Sequence, residues 1–460
     1  MPGENIYDPT LDIVGQAAGD FSGFSVSLSA DGTIVAIGSP MTIYVYPNGP
    51  GYAKIYKFNG TSWNQLGQTI NGEGLDTSGF SVSLSADGNR VAITSVDTIG
   101  SLKIFEFYNG NWVLLGQDIV GTNVGDFLGR SVSLSADGTT VATCIRITPD
   151  NFVTRVFKLN GTNYSNYNWG IFGQDITIPY VSARVVGINV SLNEHGTRLA
   201  ISAIENNVTI VYEYESASDS WVQIGNEIPN DQSGYFNDGT IIFTGIIHSR
   251  FLSLNSEGNR FALGFDNTDG FKGSTKIFEL QDNNNWEQLG NEIPGENSGD
   301  LSGYSVSLSA DGTRVAIGAI HNDPNNVQDA GNTRVFQLND NSWRPLGYPI
   351  VGQAANDLSG FSVSLSADGT RVAIGAVCND ANPVNNDDRG NTRVFQWDSE
   401  RELWTQVLFD PIIASVCFVK GTPVQTDQGV VSIELIDPSV NTINGGEKIC
   451  LLYTSPSPRD

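Results

Sequence analysis

Histidine is scarce in this chain of 460 residues, with only His195, His248 and His321. Neither a Gly-x-Ser-x-Gly elbow nor a His-Glu-x-x-His helix occurs, so two common hydrolase signatures are missing. Cysteine is equally sparse. Cys144, Cys378, Cys417 and Cys450 lie far apart without paired spacing, which indicates neither a disulfide framework nor a zinc site. Lys and Arg number 24 against 50 Asp and Glu, a net charge of −26. That balance excludes a nucleic-acid partner, because binding to phosphates needs a basic face that releases counterions. No apolar run approaches the ~18 residues that span a bilayer, so no membrane insertion is expected. The opening MPGENIYDPT has neither a basic n-region nor an apolar h-region, so no signal peptide is visible.

Glycine, by contrast, is abundant. Its 51 copies, with 39% hydrophobic residues and only 16% charged ones, describe a folded, turn-rich chain. Length alone suggests about three domains at ~150 residues each. An internal repeat replaces that estimate. GFSVSLSADGTIVAIGS begins at Gly23, GFSVSLSADGNRVAITS at Gly79, and GRSVSLSADGTTVATCI at Gly129. GYSVSLSADGTRVAIGA begins at Gly303 and GFSVSLSADGTRVAIGA at Gly360, with weaker copies from Asn189 and Arg250. The residue before the turn glycine is Asp31, Asp87, Asp137, His195, Glu257, Asp311 and Asp368, a mean spacing of about 56.

Each unit holds four strand-like segments. SVSLS alternates in the period of a strand with one apolar face. Ser-Ala-Asp-Gly then reads as a tight turn, because Gly tolerates positive φ and Asp bonds its own backbone. A second strand of the Val-Ala-Ile-Gly-Ala type alternates large with small residues. A third follows a variable loop, as in KIYKF, KIFEF and TRVFQL. The fourth starts at Trp63, Trp112, Trp169, Trp221, Trp286, Trp343 or Trp404 and ends at Leu-Gly in four units. Four antiparallel strands repeated seven times predict an all-β, seven-bladed β-propeller over residues 1–413. Its inner hairpins fall at about 24–38, 80–94, 130–144, 189–203, 251–265, 304–318 and 361–375. Small residues on the second strand suit the crowding of wedge-shaped blades, and the tryptophans suit the wider gaps further out.

Phe-Ser-Val, the Asp-Gly turn, Val-Ala-Ile-Gly-Ala and the Gly-x-x-x-Val-Phe strand together resemble the FG-GAP repeats of integrin-type propellers. Calcium-binding members of that family carry several Asp or Asn oxygens in the first hairpin, as a cation needing 6–8 oxygen ligands requires. Here each hairpin offers one carboxylate, so the resemblance implies the fold and no metal or other cofactor.

A second carboxylate recurs just before the first strand, at Asp20, Asp76, Asp126, Asp300 and Asp357. It could ring one mouth with ligands. Turn chemistry favours the simpler role, an Asx turn that holds the inter-blade loop. The basic residue on the third strand (Lys54, Lys103, Arg155, Lys276, Arg334, Arg393) is expected to pair with neighbouring acids. Non-repeated loops at 321–329 and 379–388 are rich in Asn and Asp, where a weak cation or glycan site competes with plain solvated turn.

At Ala414 the repeat stops and Cys417-Phe418-Val419-Lys420-Gly421-Thr422-Pro423-Val424-Gln425-Thr426 follows. With Asp427-Gln428-Gly429 and Ile433-Glu434-Leu435 it resembles the opening block of a Hint (hedgehog/intein) autoprocessing domain. The resemblance implies that Cys417 is a catalytic nucleophile that attacks the carbonyl of Val416 and turns the Val416–Cys417 bond into a thioester. The family's Thr-x-x-His general acid has no counterpart, since no histidine follows Cys417. Residues 414–449 are therefore read as a truncated Hint fragment that is not competent by itself. Residues 450–460, CLLYTSPSPRD, resemble translated sequencing adapter, so the natural chain is expected to continue past Ile449.

The resulting reading is a monomeric binding or structural propeller for an unidentified protein or glycan. The family resemblance implies an extracellular, cell-surface or virion-surface location, which the scarce cysteine and the missing signal peptide oppose. The alternative is a propeller enzyme acting on carbohydrate, a glycosidase or lyase. Two carboxylates at the central mouth, one with a raised pKa, would mark it.

Overall fold

The computed structural model describes residues 5–40, 50–74, 76–96, 99–126, 128–148, 151–163, 166–177, 188–203, 208–229, 252–266, 268–380 and 387–406, together with the backbone of 423–426, 429–432, 442–443 and 447–448. Two compact units result, Met1–Leu408 and Phe409–Asp460.

Seven antiparallel sheets build the first unit as a seven-bladed propeller. In the first blade the strands are Ser25–Leu28, Ile34–Ser39, Tyr52–Phe58 and Trp63–Gln65, hydrogen-bonded in sequence order. A short fifth strand, Ile70–Asn71, also pairs with the third. This addition to the expected four strands recurs in most blades. It arises because the Leu-Gly step turns the chain without carrying it off the sheet. Register places Val26 opposite Ile37 and Leu28 opposite Val35, all four buried. Both faces of a blade pack against neighbouring blades, so the second strand Ile34–Ser39 is buried at every residue. Contact is closest at its small residue. A Cβ on Gly38 would overlap the carbonyl oxygen of Gly79 in the next blade, which is why the strand alternates large with small.

The ring closes at its inner edge. The first strand of each blade has no partner strand on the channel side, which would leave its amides unpaired. Two circuits satisfy them. In the hairpin turns, the N–H of Ala30 donates to Ala86 O, Ala86 to Ala136, Ala136 to Glu194, Glu194 to Ser256, Ser256 to Ala310, Ala310 to Ala367 and Ala367 back to Ala30, at 2.8–3.1 Å. Along the strands, Leu84 N donates to Ser27 Oγ at 3.0 Å, and equivalent bonds run through Ser83, Ser133, Ser191, Ser253, Ser307 and Ser364. Both circuits need seven blades to return to their start.

Further out, tryptophan joins each of the second to seventh blades to the one before it. Trp112 Nε1 donates to Leu66 O at 2.7 Å, and Trp169, Trp221, Trp286, Trp343 and Trp404 repeat the contact at 2.7–3.0 Å. The Gly after Leu faces this ring. Gly116 has φ +79°, and a Cβ there would stand 3.0 Å from Trp169. The amide that follows, Gln68, Gln117, Gln174, Asn226 or Asn291, accepts from the backbone N–H of the next tryptophan. At the sixth blade Tyr348 stands in that place, and Asn5 supplies the missing amide. Trp404 N donates to Asn5 Oδ1 at 3.0 Å, and Asn5 Nδ2 donates to Pro349 O at 2.9 Å. Ile13–Val14 then pairs with Asn391 and Thr392 as the fifth strand of the seventh blade. The amino-terminal segment thus closes the ring.

Asn5→Ala is expected to cost about 1 kcal/mol, the usual worth of a net hydrogen bond. The same change in a Tyr348→Gln background should cost nearly nothing, because that substitution restores the repeat's own amide. Urea melts of the four proteins measure the coupling.

Candidate functional site

The recurring polar residues hold the blades. Asp31 Oδ1 accepts from Thr33 N at 2.9 Å and from Ser29 Oγ at 2.6 Å, while Oδ2 accepts from Thr33 Oγ1 at 2.8 Å. Burial pushes its pKa up, but these bonds and Arg371 outweigh it and lower the pKa. Asp87, Asp137, Asp311 and Asp368 are lowered in the same way. The second carboxylate holds the inter-blade loop, but mainly by accepting from amides three and four residues before it; the expected Asx turn, a bond from the amide two residues on, is made by Asp76 with Ser78 N at 3.1 Å. Asp126 Oδ2 accepts from Thr122 N at 2.6 Å and Asn123 N at 2.8 Å, and Asp357 Oδ2 accepts from Gln353 N at 2.9 Å and Ala354 N at 2.7 Å.

The third-strand cations divide. Arg155 makes a bidentate pair with Asp175 at 2.6 Å, Lys103 meets Glu73 at 3.2 Å and Asp118 at 3.5 Å, and Lys276 approaches Glu292 at 3.8 Å. Arg334 and Arg393 depart from the expected acid pairing. Their Nη2 atoms donate to Pro294 O and Val351 O at 2.8 Å, and to the Ser302 and Ser359 hydroxyls. At these two seams the arginine reaches backbone carbonyl instead of carboxylate.

The channel end away from the hairpin turns is filled by residues just before the first strands. Phe24 lies 5.1 Å from Phe80 and 5.0 Å from Phe361 between ring centroids, and Tyr304 lies 5.2 Å from Phe361. Ile320, Val377 and Val96 pack against this cluster from the ends of the second strands. The third and fifth blades break the pattern. Arg130 takes the place of Phe24, Arg146 takes that of Val96, and Asp266 takes that of Ile320. Burial lowers the Arg130 pKa, Cys144 opposes this, and the Arg146 charge lowers it further. Burial raises Asp266 to about 6. One mouth therefore carries an aromatic floor, two guanidiniums and one carboxyl group with a raised pKa. The repeat pattern holds the signal for these residues, since each is a charged residue where the repeat is apolar. The sequence reading did not single them out.

Of the two Asn/Asp-rich loops, the one in the sixth blade is tied to its turn. His321 Nδ1 and Asp329 Oδ1 stand 2.7 Å apart, Asp329 N donates to Asp323 Oδ1 at 2.7 Å, and Asn322 Nδ2 donates to Asp300 at 2.9 Å. In the seventh, Asp388 N donates to Asp380 Oδ1 at 2.9 Å. The Cys378 thiol is buried, and burial with Asp388 beside it pushes its pKa up, away from reactivity. His195 sits in an exposed turn. His248, Val416, Cys417 and Cys450 lie outside the described residues. In the second unit Pro423–Thr426 pairs with Gly429–Ser432 and with Thr442–Ile443, and Glu447–Lys448 completes a four-stranded sheet.

A cleft of about 420 Å³ opens between the first and second blades, lined by Asp76, Ser78, Ser95, Ser101, Lys103 and Asp118 with Ile70, Ile93, Phe105 and Leu114. Among the described residues no three His, Cys, Asp or Glu side chains gather as a metal site, and no helix is long and apolar enough to cross a membrane.

No protein-family model matches this sequence, and no curated protein matches it. Similar solved structures do exist. Hydrazine synthase of Kuenenia stuttgartiensis is 13% identical with a TM-score of 0.52, covering 85% of this chain and 99% of that one. A periplasmic gluconolactonase of Pseudomonas aeruginosa is 16% identical with a TM-score of 0.50, covering 78% and 91%. A putative 6-phosphogluconolactonase of Bacteroides uniformis is 12% identical, also at 0.50, covering 72% and 86%. At such identity the likeness is one of fold.

The Asp266 shift sets a pH dependence. Its folded pKa stands above the unfolded value of 3.8, so the folded state holds the proton more tightly. Stability tied to this group is greatest below pH 4 and is lost as pH rises through about 6. Asp266→Asn should therefore raise the melting temperature at pH 8 and leave it unchanged at pH 4.

Proposed function

We propose that the propeller unit is a binding module for a glycan or protein ligand, which it meets at the mouth where Arg130, Arg146 and Asp266 replace the apolar repeat residues. The observation that carries this is the division of labour among polar side chains. Repeated carboxylates are occupied in turns, whereas three charged departures from the repeat, Arg130, Arg146 and Asp266, lie at one end of the channel. Glycan-array and titration experiments should find a ligand whose affinity falls at least tenfold in Arg130→Ala or Arg146→Ala. Ligands insensitive to both changes would place binding elsewhere.

A second reading, an enzyme acting on carbohydrate or its lactones, draws on the Asp266 pKa of about 6 and on the lactonase names of two similar folds. A general acid is most useful when its pKa lies near the working pH. Turnover of lactone or aryl-glycoside substrates that disappears in Asp266→Asn would favour this reading over binding alone.

For the carboxy-terminal unit, we propose that Cys417 is the nucleophile of an N-to-S acyl shift. Its sulfur bonds to the Val416 carbonyl carbon, the Val416–Cys417 C–N bond breaks, and the thiol proton passes to the freed amine. The motif order and the antiparallel pairing of Pro423–Thr426 with Gly429–Ser432 support this. No histidine after Cys417 can protonate the leaving nitrogen, so the 460-residue chain should remain intact with dithiothreitol or hydroxylamine. Mass spectrometry checks this. A longer chain that supplies the histidine should release a product ending at Val416, and Cys417→Ala should prevent it.

A further inference from the structure

The seam between the seventh and first blades shows what the neighbouring cleft lacks. There Tyr52, paired with Ser39 across the sheet, reaches over the seam, and its hydroxyl donates to Asp20 Oδ2 at 2.6 Å. The Gln16 N–H points at the phenol oxygen from 3.4 Å. One seam further on, the residues in corresponding places are Ser101, Ser95 and Asp76. Serine replaces tyrosine, while the serine across the sheet and the carboxylate are kept. The space a phenol fills at one seam is thus part of the cleft at the next.

The sixth and seventh blades fill their own seams with amides. Asn332 and Asn322 join Asp300 there, and Asn391 and Asn379 share Gln353. In the fifth blade Phe265 faces Ser274 and supplies the bulk. Only at the second blade, among these, are both cross-strand residues serine. Ser95 is 3% exposed, lines the cleft, and its Oγ has no hydrogen-bond partner. A buried hydroxyl without a partner is unfavourable unless something else in the cavity bonds it.

Charge narrows the class of occupant. Lys103 stands in the cleft with Glu73 at 3.2 Å and Asp118 at 3.5 Å, so the cationic place is already taken by the protein's own ammonium. With Asp76 the acids outnumber it, which disfavours an anion. Phe105, Ile93 and Leu114 offer apolar surface beside the hydroxyls and carboxylates. Small-molecule sites usually measure about 300–1,000 Å³, and this cleft lies in that range.

We propose that the cleft between the first and second blades binds a neutral saccharide ring, with one ring hydroxyl donating to Asp76 as Tyr52 does to Asp20, a second meeting Ser95 Oγ, and the C–H face resting on Phe105. This site lies at a blade seam apart from the channel mouth, so it stands or falls independently of the function proposed above. A phenol, which is the tyrosine side chain itself, matches only the first of these contacts.

Saturation-transfer NMR of the full chain with methyl hexopyranosides and with p-cresol tests the assignment. Transfer to at least one pyranoside ring is expected, with its affinity reduced about fivefold in Ser95→Ala, a change that removes no bond made within the fold. In an Arg130→Ala/Arg146→Ala background, which silences the mouth, transfer should persist, and adding Ser101→Tyr should abolish it while leaving the melting temperature equal or higher, because it rebuilds the filled seam. In that background, absence of transfer from every pyranoside, transfer that survives Ser101→Tyr, or transfer from p-cresol alone would overturn the proposal.

Discussion

A sheet that ends on a channel must do something with the amides of its innermost strand, and the rest of this propeller follows from how they are satisfied. The backbone circuit through the hairpin turns passes from Ala30 around to Ala367 and back. Because it uses main-chain atoms, it tolerates Glu194 and Ser256 where other blades have Ala. The side-chain circuit is more demanding. It requires a hydroxyl at the middle of each first strand, and this explains why SVSL keeps its second serine even in the degenerate fourth and fifth blades. Once both circuits close, blade number and blade tilt are set together, and small residues become obligatory where second strands approach the next blade.

Closure leaves one seam unlike the others. A ring built from a linear chain must join its last blade to its first, and here the amino-terminal segment does so as a strand on the seventh blade, while its Asn5 acts as a surrogate amide one seam earlier, between the sixth and seventh blades. Tyr348 departs from the repeat at the place where Asn5 supplies the contact from elsewhere. Arg393 is buried at the same seam, bonded to Val351 O and Ser359 Oγ, with the Asp12 and Asp357 charges offsetting a burial that lowers its pKa. Departures from a repeat are thus of two kinds. Some repair the geometry of closure, and others, such as Arg130 and Asp266, place charge where the remaining blades place apolar bulk.

The seams show how a scaffold of near-identical blades acquires distinct surfaces. In five of the seven units a carboxylate precedes the first strand, and its surroundings vary with two cross-strand residues. Tyr52 fills the space with a phenol, Asn332 and Asn391 fill it with amides, and Ser95 with Ser101 leaves it open. Each arrangement costs little in the fold, because the loop itself is held by backbone donors to the carboxylate.

Period and turn chemistry were enough to read the all-β class, the seven units, the apolar face of the first strand, and the local role of the turn Asp and Ser residues. These are short-range consequences of alternation and of side chains that bond their own backbone. The short fifth strands were not legible, since two residues carry no period. Neither was the place of Asn5, whose partner Trp404 lies almost the whole chain away. The 420 Å³ cleft was also hidden, because a serine in a repeat reads the same whether its neighbour across the seam fills the space or leaves it empty. Local pattern determined what each blade is. Which side chains meet between blades was decided only when the ring closed, since those contacts depend on distances that no single repeat contains.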